Sequence, residues 1–322
     1  MTTTLDLSAK LPHLLSMTSQ NITVAAFYRF HPLADIAVIR ENLLAALKAA
    51  GAKGSVLLAA EGVNGTIAAP ADQIETALNA VITLCGLPEL DRKYSAAPTL
   101  PFMRLKVRLK KEIVTIGNVK ANPNEIVGEY VDAKDWNALI SDPDVIIVDT
   151  RNDYEVRVGT FRNAIDPHTD SFSQFPAWVN QNLHNVKGKK IATFCTGGIR
   201  CEKATSFLRH EGFEKVYHLK GGILKYLEEV PAEQSLWDGA CYVFDERVAV
   251  GHGLEIADFT TCHGCLEPVS ATERLSPQYE EGVSCPHCAS TLTEAQKASN
   301  RERQKQFELA QKRGAKHLGP AE

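Results

Sequence analysis

The sequence has no long hydrophobic run. A helix needs about 18 consecutive apolar residues or more to cross a bilayer, and no such stretch occurs, so no membrane span and no membrane partner are expected. Residues Met1 to Gln20 lack the charged start, apolar middle and small-residue cleavage site of a secretory signal. These two absences point to a cytoplasmic protein. Charge of one sign is not in excess either. The formal net charge is −4 over 322 residues, so bulk electrostatics do not demand a nucleic-acid partner, and no DNA partner is expected. Internal repeats are absent, which excludes solenoids and propellers. No flavin, haem, non-haem iron or nucleotide motif is seen. The residues set no oligomeric state.

What is present is an ordinary globular composition, 44% hydrophobic and 23% charged, in a length that suits two or three domains. There are eight cysteines. In a reducing compartment, cysteines are expected to be catalytic or metal-binding rather than disulfide-bonded.

Residues 22–30 read as a strand. Residues 33–50 read as a helix with Ile36, Ile39, Leu43, Leu44 and Leu47 on one face, ended by Gly51. Ser55 to Ala60 is a buried-type strand, Asn64-Gly65 a tight-turn signal and Thr66 to Ala69 a further strand. Residues 71–84 are helical, and Met103 to Ile116 is extended, broken near Lys110-Lys111. The order β-α-β-β-α-β predicts a ferredoxin-like domain over 20–120. Residues 117–131, with Asn122-Pro123-Asn124, read as a linker. The pattern then changes to short apolar strands, Val145–Asp149, Lys190–Cys195 and Lys215–Leu219, separated by helical stretches such as Cys201–His210. This alternation predicts an α/β domain with a parallel sheet over 132–234. Residues 240–260 fit neither period. The fold class is therefore multidomain, α+β and α/β, with a cysteine-rich module over 235–293 and a polar, charged tail over 294–322.

The segment Cys195-Thr196-Gly197-Gly198-Ile199-Arg200 joins a parallel strand to a helix. The strand's carboxyl end is where such folds bind ligands. Two glycines let the backbone curl so that N–H groups point inward, and the following helix aims its positive end at the same spot. Arg200 adds a full positive charge. All three favour a thiolate, so Cys195 is expected to ionise readily and act as a nucleophile, and the N–H nest can hold an anion formed in the reaction.

In chain order, Asp149-Thr-Arg151-Asn-Asp-Tyr154-Glu155, Gly159, Phe194-Cys-Thr-Gly-Gly-Ile-Arg200 and Val216-Tyr-His-Leu-Lys-Gly-Gly222 resemble a rhodanese domain. Related phosphatases have a loop one residue longer, with arginine six positions after the cysteine. Here that position is Cys201, and the shorter loop suits sulfur or a small group better than phosphate. Cys201 straight after the loop, the ferredoxin-like domain, the cysteine-rich end and the stretch Leu236–Ala249 together resemble the tRNA uridine(34) hydroxylases over about residues 22–290. That resemblance implies oxygen-dependent formation of 5-hydroxyuridine at the wobble position of tRNA, with the loop cysteine, Cys195, as active-site residue. Its implied partner is tRNA and its co-substrate is molecular oxygen. Cys201 either pairs with or resolves an adduct on Cys195, or is a small buried helix residue. Asp149 and Arg151 either order the site or form a structural ion pair. Residues 132–234 alone would fit a plain sulfurtransferase working through a Cys195 persulfide.

Cys262-His-Gly-Cys265 and Cys285-Pro-His-Cys288 have zinc-knuckle spacing, and four thiolates make a closed, structural site. His263 and His287 are then bystanders. Arg104, Lys106, Arg108 and Lys110 alternate with Met103, Leu105, Val107 and Leu109, so a strand here would carry its cations on one face. That face is either an RNA-phosphate stripe or a solvated outer surface. Phe27, Tyr28 and Phe30 either stack a base or pack the core. The tail cations, among them Arg301, Arg303 and Lys305, form either a basic arm or a charged solvated helix.

Overall fold

The structure, a computed structural model, describes residues 22–97, 99–245 and 247–313. Alternation along β1 (Ile22–Phe30) sends Ala25 and Phe27 to one face and Ile22 and Val24 to the other. On the first face lie α1 (Ile36–Ala49) and α2 (Ile74–Cys85), whose Leu43, Leu47, Ala77, Leu78 and Val81 are fully buried. With β2 (Lys53–Ala59), β3 (Gly62–Pro70), β4 (Asp91–Ala97) and β5 (Leu105–Leu109), they build a five-stranded sheet in the order β4-β1-β3-β2-β5. The first four strands are antiparallel neighbours in the ferredoxin-like arrangement, and β5 adds to β2 in parallel.

Two expectations are corrected here. The stretch Met103–Ile116 is not the closing strand of the β-α-β-β-α-β order. That place belongs to β4, whose sequence Asp-Arg-Lys-Tyr-Ser-Ala-Ala has no run of large apolar residues because it is a mostly exposed edge. Its backbone ladder to β1 holds it without a hydrophobic signal. Asn64-Gly65 is not a turn either. Both lie inside β3, and the chain reverses at Ala60-Glu61. Gly65 is small because a Cβ there would stand 2.8 Å from the Phe27 ring and 2.9 Å from the Ser55 carbonyl oxygen. Asn64 donates its side-chain amide to the Ile113 carbonyl at 3.0 Å.

The chain continues as β6 (Glu129–Val131), inside the stretch read as linker, then α3 (Ala133–Ile140), β7 (Val145–Asp149), α4 (Asp153–Val156), β8 (Gly159–Phe161), α5 (Phe175–Asn182), β9 (Lys190–Phe194), α6 (Ile199–His210), β10 (Val216–Leu219) and α7 (Gly222–Glu229). β6, β10, β9 and β7 form a parallel sheet in that order. Its interior strands β9 and β10 are largely buried because both faces are covered. Trp136 and Ile140 of α3 and Ile223, Tyr226 and Leu227 of α7 pack on one face. Phe175 and Val179 of α5 and Ala204, Phe207 and Leu208 of α6 pack on the other. Beyond it, β11 (Trp237–Gly239) pairs with β8, β12 (Cys241–Tyr242) with β13 (Ala249–Val250), and β14 (Phe259–Thr261) with β15 (Pro268–Ser270).

Helix α6 is buried even on its polar side, including Arg200, Glu202, Lys203, Thr205 and Ser206. The N-terminal domain lies over it and supplies the partners. Lys203, 1% exposed, is held by Glu61 at 2.8 Å and by Glu112. The Tyr28 hydroxyl donates to Glu202 at 2.8 Å. Phe27 is a core residue of the N-terminal domain, whereas Phe30 is buried in a cluster that Ile199 of α6 joins, and half-buried Tyr28 reaches across to Glu202. The tail from Glu294 to Lys312 forms α8. It is not a free arm: Arg301 pairs with Glu280 at 2.6 Å, and Arg303 donates to the carbonyl of His263 at 2.6 Å. None of the described helices is long and apolar enough to cross a membrane.

Candidate active site

Strand β9 ends at Phe194 and the chain enters the loop at Cys195, between the ends of β7 and β10. Gly198, at φ 107°, turns its N–H onto the Cys195 sulfur at 3.1 Å. The start of α7 braces the loop from behind. Ile223 N–H donates to the Cys195 carbonyl at 2.9 Å, and Leu224 N–H donates to that of Thr196 at 3.2 Å. This close approach requires Gly222, at φ 68°, since a Cβ there would stand 2.5 Å from the Cys195 carbonyl oxygen. Where a Cβ at Gly197 would stand there is open space.

Cys195 is fully buried, and burial alone opposes a thiolate. The Cys201 thiol, the Arg200 charge and the N–H groups of Cys201 and Gly198 outweigh it and hold the Cys195 thiol well below the ordinary range. Burial and the neighbouring Cys195 push Cys201 the other way, so it is the protonated member of the pair. Thr150 Oγ1 lies 3.6 Å from the Cys201 sulfur.

Arg200 is not the free charge expected from the loop alone. Its guanidinium grips Glu155 in a two-point bridge at 2.6 and 2.7 Å. Glu155 has no exposed surface, and Thr196 Oγ1 donates to it at 3.3 Å. Burial raises the Glu155 carboxyl, and the Arg200 charge more than reverses that, so its pKa is below the usual value. Asp149 and Arg151, both fully buried, form a second two-point bridge at 2.9 and 2.6 Å. Arg151 also donates to the carbonyls of Glu155 and Gly159, so the pair ties the end of β7 to the segment that carries Glu155.

The N-terminal domain closes the other side. Lys93 Nζ donates to the Gly221 carbonyl beside the loop. A Cβ at Gly198 would stand 2.9 Å from the Tyr28 hydroxyl. Glu202, which accepts from Tyr28, is buried enough that its carboxyl rises to about 7. Arg104, Lys106, Arg108 and Lys110 are exposed and are not at the loop. Strand register nevertheless connects them to it. Lys106 pairs with Ser55, Ser55 with Thr66, Thr66 with Ala26 and Ala26 with Lys93. Partners in register share a face, so a row of small side chains runs across the helix-free face from Lys106 to Lys93.

Cys262, Cys265, Cys285 and Cys288 converge, with their sulfurs all within 4.8 Å of one another. Three of the separations are 3.7, 3.8 and 3.9 Å. A tetrahedral metal with M–S bonds of about 2.3 Å places its sulfurs roughly 3.8 Å apart, so the four residues fit one metal ion. Gly264 N–H donates to the Cys262 sulfur at 3.3 Å. His287 points away from the sulfurs' task. It pairs with Glu273 at 2.7 Å and with Arg157 at 2.7 Å, and Arg157 also bridges to Glu267 at 2.7 Å. Arg157 thereby joins the module to α4.

Residues 22–113 match the family described as UPF0176 acylphosphatase like domain, and residues 132–229 the rhodanese-like domain. Over 303 residues, the chain is 54% identical to a protein of Agrobacterium fabrum named tRNA uridine(34) hydroxylase, covering 94% of this chain and 96% of that one. Proteins of the same name from Brucella ovis and Sinorhizobium fredii are each 55% identical, over 94% and 92% of this chain and 100% and 94% of theirs. The chain belongs to the tRNA uridine(34) hydroxylase family. The likeness to the family spans the domain that carries Lys93 as well as the one that carries Cys195.

Sequence reasoning missed Glu155, Glu202 and Lys93 as members of the site and offered Tyr28 only as a base-stacking or core aromatic. Glu155 had a usable signal: it stands in the motif after Arg151, and a buried arginine needs a carboxylate. The other three become neighbours only when the domains meet.

Proposed function

We propose that this chain hydroxylates C5 of the wobble uridine of tRNA, using molecular oxygen and the Cys195 sulfur. One observation carries the reading: the relatives so named match 94% of the chain, not its rhodanese domain alone. The loop supports it chemically. Uracil C5 does not react with oxygen unaided. A thiolate that adds to C6 turns C5 into an enolate carbon, which is electron-rich enough to do so. A sulfur held ionised by N–H groups, the Cys201 thiol and a nearby guanidinium suits that addition. Arg200 acts with Glu155 to hold Thr196 and the loop, while Asp149 and Arg151 anchor the strand end behind them.

The tRNA would lie on the helix-free face of the N-terminal sheet. Arg104, Lys106, Arg108 and Lys110 would contact phosphates there, and the row of small side chains would leave a path to the loop. The four cysteines would hold a structural zinc, which supplies no chemistry at the loop and orders a segment with a small apolar core. Such a protein would work in the cytoplasm, where tRNA is matured. Small-molecule sulfur transfer would use neither the sheet face nor the zinc module, so the sulfurtransferase reading has less support.

The test is nucleoside mass spectrometry of tRNA from cells lacking the protein and complemented with wild type or Cys195→Ser. Wild type should restore 5-hydroxyuridine and the variant should not. Full restoration by Cys195→Ser would overturn the assignment.

A further inference from the structure

The N-terminal domain puts a cation at the cradle. Lys93 sits on β4 and faces the loop with Ala26 and Tyr28 of β1. Its nitrogen is held by a backbone carbonyl, that of Gly221, and among the described residues by no carboxylate. Gly221 is immediate to the site: its N lies 3.8 Å from where a Gly198 Cβ would stand, and Gly198 N–H is the donor to the Cys195 sulfur. Arg200, the other cation near that sulfur, is already engaged by Glu155. Burial lowers the Lys93 ammonium to about 8 against the pull of Cys195, Cys241 and Glu228, with Lys225 assisting the fall. Facing Cys195 are Arg200, Cys201 and the loop N–H groups on its own side, and Lys93 and the Tyr28 hydroxyl from the N-terminal domain.

We propose that Lys93 completes the active site across the domain boundary: its ammonium stabilises the Cys195 thiolate and then holds uracil O4 as negative charge moves there. In that step the S–C6 bond forms, the C5=C6 pair moves between C5 and C4, and the C4=O4 pair moves onto O4. One unit of negative charge passes from sulfur to O4, and the step needs no oxidant or reductant. Lys93 donates a hydrogen bond to O4 throughout. The uracil half of this inference rests on the hydroxylase reading, whereas the thiolate half does not.

The experiment compares wild type, Lys93→Gln and Lys93→Arg as full chains. Gln keeps a donor for the Gly221 carbonyl without the charge, and Arg keeps the charge. Thiolate formation is followed by ultraviolet absorbance against pH, each protein being subtracted from its Cys195→Ser counterpart. With Lys93→Gln the Cys195 midpoint should rise by about one unit, a roughly tenfold loss of thiolate below the midpoint, and Lys93→Arg should restore it. Formation of 5-hydroxyuridine should fall about 100-fold in Lys93→Gln, which removes the positive charge facing the developing oxyanion. An unmoved midpoint in folded Lys93→Gln would reduce Lys93 to a strut between domains and overturn the inference. If wild type made no 5-hydroxyuridine, the hydroxylase reading would fall, and the midpoint would still decide the thiolate half. Should Lys93→Gln not fold, a Lys93→Arg midpoint displaced as far as that of Lys93→Met would equally overturn it.

Discussion

Glu155→Gln separates two roles that one carboxylate holds at once. Glu155 is fully buried and takes both ends of the Arg200 guanidinium at 2.6 and 2.7 Å. Removing the negative charge leaves a buried arginine without its counter-ion, which costs about 3–5 kcal/mol. The Glu155 pKa is depressed in the folded chain, from a usual value of 4.5. Its stabilisation is therefore complete above that value and is lost as pH falls through the lower, folded one. The deficit of Glu155→Gln should be full at pH 7 and shrink as the pH drops below about 4. The Cys195 thiol should respond in the opposite sense. With Glu155 neutral, the Arg200 charge acts on the sulfur uncompensated, so the thiolate should form at lower pH than in wild type. Denaturant unfolding at several pH values, with the thiolate titration, measures both. A rise in the Cys195 midpoint, or a stability loss that persists undiminished at acid pH, would refute this account of the pair.

Other outcomes follow from the cysteine module and the sheet face. Purified protein should carry about one zinc per chain by elemental analysis. Cys285→Ser should lose it, with faster amide exchange over residues 259–312. Replacing Arg104, Lys106 and Arg108 by alanine should weaken tRNA binding and flatten the plot of log affinity against log salt by about 2–3 units of slope, measured by filter binding. An unchanged slope would return those residues to the solvated surface.

The parts of the site legible in the sequence are those made by adjacent residues. Cys195 to Arg200 form their cradle within one strand–loop–helix turn, and each Cys-x-x-Cys pair brings its sulfurs together within a single knuckle. The parallel strands around them announce themselves because burial on both faces leaves a continuous apolar run. Lys93 gave no such signal. It lies on an edge strand whose polar sequence reflects solvent on one side, and its role comes from meeting Gly221, 128 residues away. Glu202 reads as an ordinary helix-surface acid until Tyr28, 174 residues away, covers it. Asn64-Gly65 misled for a related reason. Glycine answers equally to a turn and to a neighbour's ring, and only the fold shows that Phe27 is the cause.

Helix α6 also bears on how such proteins arise and diverge. Domains that recombine freely between genes present surfaces that water can accept on separation. Cut near residue 132, the rhodanese half would expose Lys203 without Glu61 and Glu112, and Glu202 without Tyr28. The excised half would lack the counter-charges of Lys203 on helix α6. The two halves thus depend on each other physically, and a change of charge at Lys203 calls for an answering change more than 90 residues earlier in the chain, at Glu112 or Glu61.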